Sequence, residues 1–220
     1  MLDADDVIHI QNLTRSTKFH RRRDQLLSKL TKDATVLHIG ACDAPYHIEK
    51  AKEGKLLQQC MAKTARQVIG VDVDEAAISD LRDLGIKNIY TYSDLPKMSY
   101  DIAICGETIE HISNFDLFFK ELRELDFDKI VFTTPNSYFY GSIFRAIKRR
   151  EFHHPDHKMI FSPHLLAQLL KRYGFDTEAI YTTFLERKLS GKRGIPAAIL
   201  SRILPLFPLF GETLVVVARR

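Results

Sequence analysis

Short apolar runs alternate with longer amphipathic stretches along most of the chain. Each run has the length of a buried strand and is bounded by polar residues or glycine. The runs lie at residues 35–39, 67–71, 88–92, 100–105, 129–132, 175–183 and 212–218. Because strands that alternate with helices usually pair in parallel, this order predicts an α/β protein with a mostly parallel sheet covered on both faces.

The amphipathic stretches between these runs predict helices. An N-terminal helical segment is expected over residues 10–32, and further helices over 55–66, 75–84, 115–125 and 163–173. Asp74 and the pair Ser162-Pro163 are residue types that commonly begin helices, and both precede such a stretch.

The segment Tyr138–Arg150 combines an apolar helical face with several basic residues. Its apolar residues are Phe139, Ile143, Phe144 and Ile147, and its basic residues are Arg145, Lys148, Arg149 and Arg150. Two interpretations are open: a helix that packs on the sheet, or a lid over a pocket whose arginines attract phosphate or an anionic membrane. Ile195–Phe210, with Lys192, Arg193 and Arg202 around it, permits the same two interpretations.

A glycine and three acidic residues follow the first four predicted strands, namely Gly40, Asp72, Asp94 and Glu107. Ligands of parallel sheets bind at the carboxyl ends of the strands. Gly40 lets the backbone approach a ligand, Asp72 can accept hydrogen bonds from a ribose, and Asp94 can accept one from an amine such as that of adenine. A single acid at a strand end is as often a helix cap, but three in register predict a nucleoside site.

Composition and charge narrow the class of protein. The chain has 220 residues, of which 45% are hydrophobic and 27% charged, which excludes wholesale disorder and fits one domain. The net charge is +4, but residues 69–128 contain 14 acidic and five basic side chains. An acidic middle suits a cationic ligand, and basic flanks attract anions.

Cysteine usage and the N-terminus indicate the compartment. Cys42, Cys60 and Cys105 are widely spaced and form no CxxC pair, which argues against a disulfide framework or a zinc ribbon. The first residues lack the basic and apolar regions of a signal peptide, so a cytoplasmic protein is expected.

Four phrases together resemble the class I S-adenosylmethionine-dependent methyltransferases. They are Val36-Leu37-His38-Ile39-Gly40, Val68-Ile69-Gly70-Val71-Asp72-Val73-Asp74, Ser93-Asp94-Leu95, and Tyr100 to His111. The resemblance implies a three-layer, Rossmann-like sheet of seven strands, the last antiparallel. It also implies a single methyltransferase domain over residues 1–220, with a cover or lid segment at about 137–162.

More specific phrases resemble a bacterial subgroup often associated with polysaccharide or glycolipid biosynthesis. They are Glu107-x-x-Glu110-His111, Thr134-Pro135-Asn136, and His154-Pro155-Asp156-His157. This resemblance implies a small-molecule, carbohydrate or lipid-linked acceptor, and methylation at oxygen is the expected reaction.

The first motif departs from the family pattern. His38 stands where the family usually has an acidic residue, and Gly40-Ala41-Cys42-Asp43-Ala44 stands where it has a Gly-x-Gly-x-Gly run. Cys42 and Ala44 are therefore expected to need more room against the methionine part of S-adenosylmethionine.

The resemblance also assigns roles to individual residues. It implies contacts with S-adenosylmethionine from Gly40, Ala41, Asp72, Val73, Asp94, Leu95, Cys105 and Glu107. His111 and His157 are the candidates for a catalytic base, since histidine titrates near neutral pH, although each could simply pack or bond to backbone. No metal site is expected, because no cysteine or second cluster completes a ligand set with His153, His154 and His157.

Partners and competing functions complete the expectations. Arg21-Arg22-Arg23 has no accompanying ladder of aromatic residues, so nucleic acid is not expected as a partner. Peripheral membrane contact stays open, and the oligomeric state is not predicted. A nicotinamide dehydrogenase is disfavoured, because Asp72 lies 32 residues after Gly40 rather than about 20. The alternative from another class is a catalytically inactive, methyltransferase-like binding module.

Overall fold

The computed structural model describes residues 2–152, 154–184, 202 and 204–220. The helices in these ranges are α1 (Ala4–Arg15), α2 (Arg23–Leu30), α3 (His47–Lys52), α4 (Leu57–Met61), α5 (Glu75–Asp83), α6 (Phe115–Arg123), α7 (Tyr140–Ile147) and α8 (Pro163–Arg172). The strands are β1 (Lys18–Arg22), β2 (Thr35–Ile39), β3 (Gln67–Val71), β4 (Ile89–Tyr90), β5 (Tyr100–Gly106), β6 (Phe127–Pro135), β7 (Asp176–Phe184) and β8 (Thr213–Arg219). Short 3-10 helices cover Ile109–His111, Leu204–Leu206 and Pro208–Phe210.

The chain divides into two compact units. The central unit comprises Asp24–Thr108 and Asp116–Val131, and the terminal unit comprises Met1–Arg23, Ile109–Phe115 and Phe132–Arg220. Strand β6 begins in the central unit and ends in the terminal unit. The strand order is β6-β5-β2-β3-β4 in the central unit and β1-β7-β8-β6 in the terminal unit.

Strand β2 lies at the middle of the central unit. It pairs in parallel with β3 on one side and with β5 on the other, and all of its residues are buried. Ile39 is opposite Val71 and also opposite Cys105, while Val71 is in turn opposite Tyr90 of β4. The four strands therefore end at one edge, which is where the residues that follow them come together.

The terminal unit contains the antiparallel pair. Strand β7 pairs in parallel with β1 and antiparallel with β8. The predicted α/β fold, with a mostly parallel sheet and an antiparallel last strand, is confirmed, although the described residues form eight strands rather than the predicted seven.

The additional strand corrects the prediction of a helical segment over residues 10–32. Strand β1 separates α1 from α2 in that segment. The backbone of β1 pairs with β7, and the Phe19 ring packs edge-on against Phe184 with ring centroids 5.3 Å apart. Thr14 and Thr17 assist the break, since their hydroxyls donate to carbonyls of the preceding helical turn, at Ile10 and Thr14.

Helix starts were predicted more successfully than helix lengths. Asp74 caps α5 by accepting from the Ala77 amide, and Ser162 caps α8 by accepting from the Leu165 amide, as predicted. Helix α4, by contrast, ends at Met61 rather than near Arg66. The Thr64 hydroxyl donates to the Ser28 carbonyl in the turn that follows.

Helix α7 corrects one of the two interpretations of the segment Tyr138–Arg150. None of its eight residues is buried, so the described helix is not one that packs its apolar face on the sheet.

Residues 185–201 and 203, and with them Lys192, Arg193 and much of Ile195–Phe210, lie outside the described residues. His153 also lies outside them. In the part of the chain that the structure describes, no helix has the length and apolar character to cross a bilayer.

Candidate functional site

The turn after β2 requires glycine at its first position. Gly40 has a φ of +71°, and a Cβ atom built there would collide with the Thr108 side chain. The Gly40 and Ala41 amides both donate to the Val71 carbonyl, over 2.9 and 3.2 Å. These hydrogen bonds attach the turn to the end of β3, and the Thr108 side chain packs against Gly40.

Two side chains of the turn that departs from the family pattern lie in the core. Ala41 and Cys42 are buried in a cluster with residues of α5, including Ile78 and Leu81. Ala41 fits because its neighbour on β3 is Gly70, where an added Cβ would lie 2.7 Å from the Ala41 Cβ. The core therefore provides the room that Cys42 needs, and the more distant Ala44 is exposed.

His38, at the position that is usually acidic, belongs to a buried polar network. Its Nδ1 lies 3.0 Å from Gln58 Oε1, and Gln58 Nε2 donates to the Asn88 carbonyl over 3.0 Å. This network joins β2 to α4 and to the residues before β4. Because His38 is buried and hydrogen-bonded, its role is structural. The acidic side chains at this edge of the sheet are therefore not on β2, and they follow β3, β4 and β5.

Asp72 connects two of the turns at this edge. One carboxylate oxygen accepts from the Cys42 amide over 2.8 Å, and the other accepts from the Val73 and Asp74 amides over 2.8 and 3.1 Å. The Asp72 amide donates to the Tyr90 carbonyl over 3.0 Å. The half-buried carboxylate is therefore fixed in orientation, and it keeps lone pairs for a further donor such as a ribose hydroxyl.

Asp94 lies in the loop that follows β4. Its carboxylate accepts from the Thr91 hydroxyl over 3.0 Å, and the side chain is exposed. Because β4 pairs in parallel with β3, this loop leaves the sheet at the same edge as Asp72. Leu95 beside it is half-buried, whereas the Val73 side chain is exposed.

Tyr92 belongs to the same edge and was missed by the sequence analysis. Its side chain is 39% exposed, but burial around the hydroxyl raises the pKa of Tyr92, and the neighbouring Cys105, Glu121 and Asp72 raise it further. Its hydroxyl thus interacts electrostatically with groups of β5, α6 and the turn after β3. The sequence analysis placed Tyr92 within a predicted strand at 88–92, but β4 ends at Tyr90, and no sequence signal marks Tyr92 as part of this edge.

Glu107 follows β5 in a conformation that L-residues seldom adopt. Its φ is +50°, and it is half-buried. The adjacent Thr108 hydroxyl lies 3.1 Å from the Gly106 carbonyl and 3.5 Å from the Ile39 carbonyl, which joins the ends of β5 and β2. Cys105 is fully buried, so only its backbone is available to a ligand. Strained backbone of this kind is concentrated at functional sites.

The central unit thus brings together every residue that was predicted to bind the cofactor. They lie in the turns after β2, β3, β4 and β5 or at the end of β5: Gly40, Ala41, Asp72, Val73, Asp94, Leu95, Cys105 and Glu107. Their binding of a ligand stays a prediction.

The terminal unit brings the two predicted catalytic histidines together. The ring centroids of His111 and His157 are 4.8 Å apart, and the rings are nearly perpendicular. Glu110, which is fully buried, offers its carboxylate to the same cluster. The phrase Glu110-His111 was noted in the sequence, but a sequence alone does not reveal that the glutamate is buried beside two imidazoles.

Comparison with known proteins relates part of the chain to a known family. Residues 52–125 match the family described as "Methyltransferase domain". This match covers about a third of the chain and supports the predicted class of enzyme. Among proteins of curated function, none matches this sequence.

Several solved structures share the fold of this chain at low sequence identity. The small RNA methyltransferase HEN1 is 15% identical with a TM-score of 0.57, over 90% of this chain and 25% of that chain. Magnesium protoporphyrin IX methyltransferase from Synechocystis PCC 6803, with bound SAH, is 14% identical with a TM-score of 0.55, over 100% of this chain and 89% of that chain. An S-adenosylmethionine-dependent methyltransferase from Aquifex aeolicus is 14% identical with a TM-score of 0.52, over 99% and 98%. The chain spans a quarter of the length of HEN1 but nearly all of the other two.

These similarities confirm a Rossmann-like fold of the methyltransferase type. The Synechocystis enzyme has bound SAH and the Aquifex aeolicus enzyme depends on S-adenosylmethionine, which agrees with the prediction of S-adenosylmethionine as cofactor. HEN1 and the Synechocystis enzyme differ in substrate, so they do not select an acceptor for this chain.

The position of Cys42 can be checked by alkylation. Burial raises the pKa of the Cys42 thiol, and the Asp72 carboxylate raises it further. At pH 8.5, where an ordinary thiol is about half ionised, Cys42 should remain protonated and unreactive. Mass spectrometry after brief iodoacetamide treatment should find the half-buried Cys60 modified before Cys42 and the buried Cys105. Rapid modification of Cys42 in the folded protein would show that its side chain lies outside the core.

Proposed function

We propose that this chain transfers a methyl group from S-adenosylmethionine to an oxygen of a small-molecule, carbohydrate or lipid-linked acceptor. The observation that carries the proposal is that Asp72, Asp94 and Glu107 follow β3, β4 and β5, parallel strands that end at one edge of the sheet. S-adenosylmethionine bears a sulfonium and an ammonium group against one carboxylate. An acidic strand edge therefore suits it electrostatically.

Each turn has a role in holding the cofactor. Asp72 accepts from the ribose hydroxyls beside Val73, while Asp94 and the Leu95 backbone hold the adenine. The backbone from Cys105 to Glu107 faces the ammonium group. Gly40 and Ala41 lie against the amino-acid part, and because their amides already donate to Val71, they contribute close approach rather than hydrogen bonds.

Methyl transfer depends chiefly on placement. The acceptor oxygen must stand in line with the methyl–sulfur bond at about 3–3.5 Å, and much of the acceleration comes from holding it there. A hydroxyl acceptor must also lose its proton, and we assign assistance in this step to His111 and His157. The phrases that resemble polysaccharide- and glycolipid-associated enzymes support a carbohydrate or lipid-linked acceptor, and no nucleic acid is proposed as substrate.

The surface of α7 supports an acceptor that is presented at a membrane. Ile143, Phe144 and Ile147 are 41%, 57% and 74% exposed. Basic residues accompany them, and the Lys148 ammonium lies 4.4 Å from the centroid of the Phe144 ring. A cavity of about 560 Å³ lies beside this helix, and ten residues between Ser137 and Ile160 line it, Arg145 and Arg149 among them. Apolar and cationic side chains together favour binding to anionic lipid.

Binding of S-adenosylmethionine to the full chain tests the cofactor site. We expect calorimetry to show binding that Asp72→Ala abolishes, because the substitution removes both the ribose acceptor and the acceptor of the Cys42 amide. Asp94→Ala should weaken binding by about tenfold, the loss of one hydrogen bond to a charged group. Asp83→Ala, an exposed change at the end of α5, is the matched control.

Thermal unfolding of each variant separates loss of binding from loss of folding. Equal affinity of Asp72→Ala and the unchanged chain for S-adenosylmethionine would contradict the proposed site. Binding of NAD in its place would replace the methyltransferase assignment by that of a dehydrogenase.

Turnover distinguishes the enzyme from an inactive binding module. With a cell extract as the source of acceptors, the chain should form S-adenosylhomocysteine, and the product should carry a labelled methyl group. Asp94→Ala should lower the rate mainly by raising KM for S-adenosylmethionine, since it removes a contact that is far from the transferred methyl group. Saturable binding without any S-adenosylhomocysteine formation would favour the module.

Flotation with liposomes tests the α7 surface. The chain should float with vesicles that contain phosphatidylglycerol and should not float with phosphatidylcholine vesicles alone. Ile147→Gln and Lys148→Glu should each reduce flotation severalfold, whereas Lys97→Glu, an exposed change in the central unit, should not. Absence of enrichment on the anionic vesicles would contradict membrane contact.

A further inference from the structure

Three side chains of the terminal unit place metal-binding atoms around one point. Glu110 and His111 lie on the short 3-10 helix, and His157 lies in the loop before α8. Their ligand atoms, one from each side chain, all lie within 4.8 Å of one another. Atoms that bind one cation at about 2.0–2.2 Å are themselves about 3–4.4 Å apart, so small side-chain movements would bring all three into contact with an ion.

The backbone holds the two segments of this cluster together. The amides of Lys158 and Met159 both donate to the Glu110 carbonyl, over 2.8 and 3.2 Å. His157, next to Lys158 in the chain, is thereby fixed relative to Glu110. The cluster is preorganised by main-chain hydrogen bonds rather than by the ligand groups themselves.

His111 also has the type of support that metal-binding histidines commonly have. Its Nδ1 lies 3.2 Å from the Asp156 carbonyl oxygen. A proton on Nδ1 is donated to that carbonyl, and this leaves Nε2 with its lone pair available to a cation. Backbone carbonyls often fix the tautomer of ligating histidines in this way.

Burial of Glu110 adds a second argument. The side chain is fully buried, so a cation bound to its carboxylate would lie away from bulk water. Opposite charges attract each other more strongly in such surroundings. An exposed acidic cluster would offer no such argument, because water already solvates it.

We infer that Glu110, His111 and His157 form a binding site for a divalent transition-metal ion. Two imidazole nitrogens and one carboxylate favour ions such as Zn²⁺, Mn²⁺, Fe²⁺ or Co²⁺ over Mg²⁺ and Ca²⁺, which prefer oxygen ligands alone. The expectation of no metal site was based on the histidines and cysteines, and it omitted the buried carboxylate. The site replaces that expectation.

The consequence of this site for catalysis rests on the proposed function. A hydroxyl oxygen that binds to such a cation loses its proton more readily, because the positive charge stabilises the oxyanion. His111 and His157 would then promote deprotonation of the acceptor by holding the ion, and would not take up the proton themselves. The metal site itself requires no methyl transfer and can be measured without it.

Titration with Co²⁺ tests the site directly. The full chain, freed of metal with a chelator, should bind one tight equivalent by calorimetry, and the visible absorption of Co²⁺ should change as imidazole nitrogens enter its coordination shell. His157→Ala and His111→Ala should each weaken this binding at least tenfold. Mg²⁺ at the same concentrations should compete poorly. His9→Ala, which removes an exposed histidine on α1, is the matched control and should leave the titration unchanged.

Glu110→Gln completes the test, with a variant that keeps the size of the side chain. It should weaken Co²⁺ binding like the histidine variants. If it fails to fold, the half-buried His157 still decides the matter, because its substitution changes a loop residue. Absence of a tight equivalent in the unchanged chain, or equal binding by His157→Ala and the unchanged chain, would overturn the inference.

Binding of S-adenosylmethionine by the same variants separates the two proposals. If His157→Ala loses Co²⁺ but binds S-adenosylmethionine normally, the metal inference stands whatever the acceptor. If the unchanged chain binds Co²⁺ at this site but never binds S-adenosylmethionine, the proposed function fails and the metal site remains.

Discussion

The candidate cofactor site depends on the hydrogen bonds that the Asp72 carboxylate accepts. It accepts hydrogen bonds from three amides, one in the turn after β2 and two in the turn after β3. Hydrogen bonds to a charged acceptor are each worth about 1.5–3 kcal/mol, and an amide that loses its acceptor in a partly buried position adds a desolvation cost. The same group that is proposed to hold the ribose therefore also sets the distance between the two turns that enclose it.

The side chains at and beside the first turn are accommodated by their neighbours in the central unit. The Ala41 methyl group occupies space that Gly70 leaves open on the neighbouring strand, and Cys42 packs with the apolar residues of α5. His38 takes the place of an acidic residue and is satisfied by Gln58. Each of these side chains therefore has a packing or hydrogen-bond partner within the central unit.

Much of this edge could be predicted from the sequence, because it follows from the geometry of parallel strands. The continuous apolar runs at 35–39 and 67–71 identified β2 and β3, and the residues after them had to lie at one edge. Strand β1 could not be identified in this way, because Lys18-Phe19-His20-Arg21-Arg22 has no apolar run and its pairing with β7 is set by tertiary structure. Tyr92 and Glu110 were missed for a related reason, since burial of a hydroxyl or carboxylate depends on which elements pack around it.

The backbone conformation of Glu107 lowers the stability of the fold at a position where a side chain is proposed to serve ligand binding. Glycine adopts a φ of +50° at little cost, whereas a residue with a Cβ atom is strained by about 1 kcal/mol or more. A chain optimised for stability alone would carry glycine at this position. The carboxylate makes the folded state less stable than it could be, as is common where a reactive or binding group must occupy one fixed place.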